Sequence, residues 1–170
     1  KLPEWDSLDA VQKKLFIKQA DVYGAYLAYT DYEIGRVIQA VEDLGQRDNT
    51  LIVYITGDNG PSSEGLRNGT PNEFTAFNGV AMEVKPQLLW YPFWGSERTF
   101  PHFAAPWALA MDTPFQWMKQ VASHFGGTAQ GMAMSWPGHV NDVGGIRNQF
   151  HHVIDIVPTI LEAAGIPQPQ

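Results

Sequence analysis

Apolar side chains recur at helical steps from Val11 through Leu15, Val22, Tyr26 and Tyr29, the spacing of one face of an α-helix. A second stripe, Ile34, Val37, Val41 and Leu44, continues the pattern, and Gly45 supplies a stop. The pattern predicts one long helix running toward Leu44, capped at its start by Asp6 or Ser7. Beyond the turn Gln46-Arg47-Asp48-Asn49 the period is lost, and Thr50 to Thr56 is β-branched and apolar at nearly every position. Such a run predicts a central strand buried on both faces, Leu51, Val53 and Ile55 against one helix layer and Ile52 and Tyr54 against the other. Residues 61–113 are rich in Gly, Pro, Asn and aromatics with weak periodicity, which predicts a long irregular loop of the kind that carries function or an insertion. Met132 to Trp136 predicts a second short strand closed by Pro137-Gly138. Asp155 is the expected cap of a last helix, with Pro158 in its first turn and Gly165 past its end.

A helix followed by a buried strand is a unit of a layered α/β domain, and 170 residues suffice for one such core or for part of a larger one. Hydrophobic residues at 44% and charged residues at 17% are values of a folded chain rather than a disordered one. The net charge of −7 gives no electrostatic basis for binding nucleic acid or an anionic membrane surface, and no apolar run is long enough to span a bilayer. An anionic substrate would therefore need local cations to reverse the field at its site. The absence of cysteine removes disulfides, thiolate metal sites and any cysteine-derived nucleophile from within this chain.

The most informative residues are Thr56-Gly57-Asp58-Asn59-Gly60-Pro61, at the end of the first strand. Ligand sites of open α/β sheets gather at the carboxyl ends of strands. A carboxylate beside a carboxamide offers two hard oxygen donors at one point, which suits Ca²⁺ or Mg²⁺ far better than zinc. For the tetrapeptide taken alone, an ordinary Asx turn is the favoured reading, since Asp-Asn-Gly is common turn chemistry.

The company of this motif decides between the two. Asn49-Thr50-Leu51-Ile52-Val53-Tyr54 with Gly57-Asp58-Asn59-Gly60, and the helix carrying Thr30-Asp31-Tyr32-Glu33-Ile34-Gly35-Arg36-Val37 before it, resemble a segment of the type I sulfatases. Thr113-Pro114-Phe115-Gln116-Trp117-Met118-Lys119 with Ser123-His124-Phe125-Gly126-Gly127-Thr128 is similar to the segment that carries the family's active-site lysine. Ser135-Trp136-Pro137-Gly138 resembles the strand end that follows it, and the stretch from Gln149 to Glu162 resembles the end of the catalytic domain. The resemblance, in the same order along most of the chain, implies an alkaline-phosphatase-like layered α/β sandwich with a central mixed sheet flanked by helices, incomplete here. Residues 1–170 would be an interior-to-C-terminal part of one catalytic domain, with the aromatic-rich loop 61–113 inside it and the remainder of the same enzyme as partner.

By resemblance Asp58 and Asn59 match paired ligands of one divalent cation, calcium in preference to magnesium, and Lys119 matches the lysine that contacts the sulfate and stabilises the leaving oxygen. His124 is a candidate lining of the substrate pocket, and His151 and His152 are expected to do structural work at a helix start. The chain departs from the family at Ala129, where an arginine is expected after Gly-Gly-Thr, and that anion contact lacks its side chain. The family nucleophile is a formylglycine made from a Cys/Ser-x-Pro-x-Arg motif, which these residues do not contain. The implied activity is that of an arylsulfatase-like sulfuric ester hydrolase, with a sulfate ester as substrate and formylglycine supplied from an upstream part. A phosphate or phosphonate ester hydrolase of the same superfamily is the runner-up, and a non-catalytic, truncated metal-binding module the third reading. The aromatics from Trp90 to Trp117 are expected to form mostly a private core, with Trp94 and Trp107 open to a role at a substrate rim.

Overall fold

The computed structural model describes residues 2–168. Helix α1 (Ala10–Asp43) fills the predicted span, but its cap is Asp9. The Asp9 carboxylate accepts from the Gln12 N–H at 2.8 Å while the Gln12 side-chain oxygen accepts from the Asp9 N–H at 2.9 Å. Only Asp9 has a Gln three residues on to close this reciprocal box; Asp6 and Ser7 sit instead in a 3-10 turn, Trp5–Ser7. Gly45 ends the helix in the left-handed region at φ 67°, as its place in the sequence requires.

The helix buries Leu15, Phe16 and Gln19, with Val22 half-buried, whereas Val11, Tyr26 and Tyr29 of the predicted stripe stay exposed. What covers its N-terminal part is the region 61–113, whose turns and loops carry short helices. It forms α2 (Glu73–Phe77), α3 (Val84–Gln87), a 3-10 helix (Leu88–Phe93) and α4 (Ala105–Met111). Val84, Trp94 and Ala104 from this region pack with Leu15 and Phe16, flanked by Leu88, Tyr91 and Trp107. Each of these helices is too short to show a period in the sequence. Two buried amides fasten it down. Gln19 donates to Asn68 O at 2.8 Å and accepts from Ala104 N–H at 2.9 Å, and Gln87 donates to Gly69 O at 3.0 Å. Trp94 belongs to the core, and Trp107, half-buried, packs against it with its indole N–H donating to Phe16 O at 3.0 Å. Trp90, Phe100, Phe115 and Trp117 remain exposed, so the private-core expectation holds for only part of the aromatic set.

Strands β1 (Ile52–Ile55) and β2 (Met132–Ser135) form a two-stranded antiparallel sheet with Ile52 opposite Ser135 and Ile55 opposite Met132. The expected two-sided burial of β1 fails. Leu51, Ile52 and Val53 are half-buried and Tyr54 and Ile55 exposed, because α1 packs on the 61–113 region instead of covering the strand. Helices with one small sheet thus fit an α/β class, without a mixed central sheet among the described residues. The chain closes with α5 (Phe125–Thr128) and α6 (Ile156–Ala163). Asp155 precedes α6, yet its carboxylate accepts from His152 N–H at 2.8 Å, and His152 Nδ1 accepts from Ile154 N–H, so both cap the 3-10 turn Val153–Asp155. His152 therefore does structural work, as expected. No helix among the described residues is long and apolar enough to cross a membrane.

Candidate functional site

Antiparallel pairing is what assembles the site. Because Ile55 lies opposite Met132, the chain leaving β1 runs beside the chain entering β2. Thr56 N–H and its hydroxyl both reach Gly131 O at 3.1 Å, and the Gln130 amide donates to Asn59 O. Gly60 N–H donates to Gly127 O at 3.2 Å, and a Cβ on Gly60 would overlap the Gly126 carbonyl oxygen. The two backbones meet so closely that only glycine fits at this crossing. One residue further, Lys119 N–H donates to Pro61 O at 3.1 Å. The Asp58-Asn59 turn and the Lys119 segment, 60 positions apart, are thus stitched into one surface by main-chain bonds.

The Lys119 segment is held in an uncommon conformation. Trp117 and Gln120 adopt φ of 67° and 79°, a region that costs a non-glycine residue about 1–3 kcal/mol. Surrounding bonds offset that cost: Gly126 N–H donates to Gln116 O at 3.0 Å, and the Gln120 amide donates to Glu64 Oε1 at 3.2 Å. Behind this turn the Asp112 carboxylate has a buried Oδ2 without a hydrogen-bond partner, and burial pushes its carboxyl above the ordinary value.

The Lys119 ammonium donates to Glu64 Oε2 at 3.0 Å, and the Ser62 hydroxyl donates to the same oxygen at 2.7 Å. The Glu64 carboxyl is held below its ordinary value of 4.5, first by the Ser62 hydroxyl and then by Lys119. Since the folded-state value is the lower one, the pair contributes stability above the ordinary carboxylate value and loses it as pH falls through the depressed one. The stability difference between the native chain and Glu64→Gln is therefore expected to be present at pH 7 and to shrink as pH falls below the ordinary carboxylate value, read as urea midpoints. Both side chains retain a quarter to a third of their exposure, so the difference should stay under about 1 kcal/mol. A gap that persists undiminished in acid would contradict the pairing. Glu64 was not legible as a site residue, since nothing in the sequence ties it to a lysine 55 positions away.

Asp58 is exposed and Asn59 half-buried, with the Asn59 amide donating to the Asp58 carboxylate. Their oxygen donors fit a hard divalent cation in kind and, at two side chains, make up only part of a calcium shell of roughly 6–8 oxygens. Among the described residues no group of three or more His, Cys, Asp or Glu side chains gathers to complete it. His124 lines a hollow that Lys119 does not line. Its Nδ1 pairs with the Ser123 hydroxyl at 2.9 Å, its ring lies 5.8 Å from Trp117, and it lines a separate hollow of about 370 Å³ with Phe115 and Phe125.

Comparison with known proteins gives the class. The sulfatase family model matches residues 3–166, and this chain belongs to the sulfatase family. It is 29% identical over 165 residues to an arylsulfatase of Klebsiella aerogenes, covering 96% of this chain and 33% of that protein. It is 28% identical over 170 residues to an uncharacterized sulfatase of Schizosaccharomyces pombe, covering 97% of this chain and 28% of that protein. The chain thus spans about a third or less of the length of the curated relatives it matches. No solved structure matches it significantly.

Proposed function

We propose that this chain carries part of the active site of an arylsulfatase-like sulfuric ester hydrolase, with Asp58, Asn59 and Lys119 as its contribution. The observation that carries the reading is the main-chain bond from Lys119 to Pro61, which sets a cation-bearing turn beside a hard-oxygen turn at a strand's carboxyl end. Asp58 and Asn59 would hold one divalent cation, calcium by the hardness and number of ligands it accepts, and that ion supplies Lewis-acid stabilisation when bound. Formylglycine, from a segment outside these residues, supplies the nucleophilic oxygen. Lys119 then has two tasks: it orients a sulfate oxygen and offsets the charge that grows on the ester as its bond to the leaving oxygen breaks. The lysine can leave Glu64 for the substrate, because Ser62 and Gln120 remain to hold the carboxylate. His124, whose ring lies beside Trp117, is a candidate pocket residue.

The test compares the 170-residue chain with a longer polypeptide in which it follows a formylglycine segment. The chain alone should turn over neither 4-nitrophenyl sulfate nor 4-nitrophenyl phosphate, since stabilising charge without a nucleophile leaves most of the barrier standing. The longer polypeptide should hydrolyse the sulfate in preference to the phosphate. Preference for the phosphate or a phosphonate would favour the runner-up chemistry. Turnover by the chain alone, abolished in Lys119→Ala, would refute the division of labour.

A further inference from the structure

Asp112 takes no part in the chemistry assigned to Asp58, Asn59 and Lys119. It is the C-cap of α4, the end of a helix that disfavours negative charge. Its buried Oδ2 has no hydrogen-bond partner. A Cβ on Gly126 would overlap that oxygen together with the Gln116 and Trp117 carbonyl oxygens, so all three face one small space against the Gly126 Cα. Gly126 N–H donates to Gln116 O at 3.0 Å, and among the described residues no hydrogen bond reaches Trp117 O.

A carboxylate only accepts, and here it would face two other acceptors in a place sealed from water, a costly arrangement. A metal ion does not resolve it, because the Gly126 Cα already stands against the three oxygens. A proton does: a protonated carboxyl has one O–H to give, and Trp117 O is an acceptor with nothing else to accept. No neighbouring charge competes with this. α4 and α5 carry no titratable side chain. Between them, Lys119 is committed to Glu64 at 3.0 Å and His124 Nδ1 to the Ser123 hydroxyl at 2.9 Å. The turn that crosses Gly126 brings Asp58, which is exposed. Burial alone raises the Asp112 carboxyl above its ordinary value.

The two carbonyls belong to the turn that presents the lysine. Trp117, two residues before Lys119, is held at φ 67°, and Gln116 O takes the bond that ties this turn to α5. We propose that Asp112 is a positioning residue for Lys119: its buried oxygen carries a proton, donates to Trp117 O, and so holds the turn that aims the lysine. Loss of the proton to water leaves three acceptors facing one another and loosens the turn. The proton and the turn stand on this geometry alone; only the effect on catalysis rests on the sulfate-ester reading.

Asp112→Asn is the test, because a carboxamide keeps the shape and supplies a permanent N–H donor. Urea midpoints of the native chain and the variant are compared from about pH 3 to about pH 8. A carboxyl raised in the folded state contributes stability that is fully present below the ordinary value of 3.8 and is lost as pH rises through the raised one. The gap between the two chains should therefore widen in favour of Asp112→Asn as pH rises through this window. A gap independent of pH, or one that widens in favour of the native chain, overturns the proton. Should the variant fail to fold, carbon-13 NMR of the native Asp112 carboxyl decides: a midpoint above 3.8 supports the proton and one at or below it overturns it. Exchange of the Lys119 amide, which reports its bond to Pro61 O, should run roughly tenfold faster in the native chain than in Asp112→Asn above the window. Equal exchange at every pH overturns the positioning role even where the midpoints diverge. In the longer polypeptide, native kcat for 4-nitrophenyl sulfate should fall roughly tenfold through the window while Asp112→Asn holds its rate. Absent sulfate turnover in both, with the midpoint and exchange differences intact, supports the Asp112 proton and refutes the sulfate reading instead.

Discussion

Gly60→Ala is expected to unlock the crossing of the two site segments and to cost about 3 kcal/mol or more, the upper range for overpacking. The obstacle is main chain on both sides. A Cβ there overlaps the Gly126 carbonyl oxygen, and Gly126 cannot retreat because its own back faces the Gln116 and Trp117 carbonyls. Relief would require breaking the Gly60–Gly127 bond and separating the Asp58-Asn59 turn from the Lys119 segment. With typical domain stabilities of about 5–15 kcal/mol, that is a large share of the total. Gly57→Ala is the control three residues away, where a Cβ would meet Gln130 Oε1 at 3.4 Å and Asn59 O at 3.6 Å, both ordinary contacts. It should shift the urea midpoint little, within about 0.5 kcal/mol. Equal midpoints for the two variants would show that the crossing is looser than the geometry described here.

Lys119→Ala, in a polypeptide that also carries the nucleophile, is expected to lower kcat about 100- to 1,000-fold, the effect of deleting one charge stabiliser aimed at a developing anion. The loss should fall mainly on kcat, because the lysine's interaction strengthens as the leaving oxygen gains charge. The deletion also leaves the Glu64 carboxylate without its cationic partner, held only by Ser62 and Gln120, and its charge then repels the ester. The double variant Lys119→Ala, Glu64→Gln should accordingly recover part of KM and none of kcat. If Lys119→Ala leaves kcat/KM for 4-nitrophenyl sulfate unchanged, the lysine has no part in the chemistry.

How far each feature could be read depended on how local its cause is. The long helix, its glycine stop, the two short strands and the terminal helix follow from side-chain period and turn chemistry within a few residues, and the family follows from motifs in order along the chain. The helix cap was misplaced by three residues or fewer because Asp6, Ser7 and Asp9 are all good caps, and only the reciprocal bond with Gln12 selects Asp9. The Asp58-Asn59 turn and the lysine could be named as candidates because both are carried by short contiguous motifs. That the two meet was decided by the antiparallel register of β1 and β2, which no local pattern encodes. The same is true of Glu64, which becomes a site residue only because the chain turns back past Lys119. Residues 61–113 lacked period because they fold as turns and helices of a few residues, stabilised by distant contacts with Leu15, Phe16 and Gln19. The sequence by itself determined the elements with internal repetition and the chemistry of the motifs. Tertiary structure decided which faces were buried and which charges met, because those depend on contacts between residues 49 to 91 positions apart.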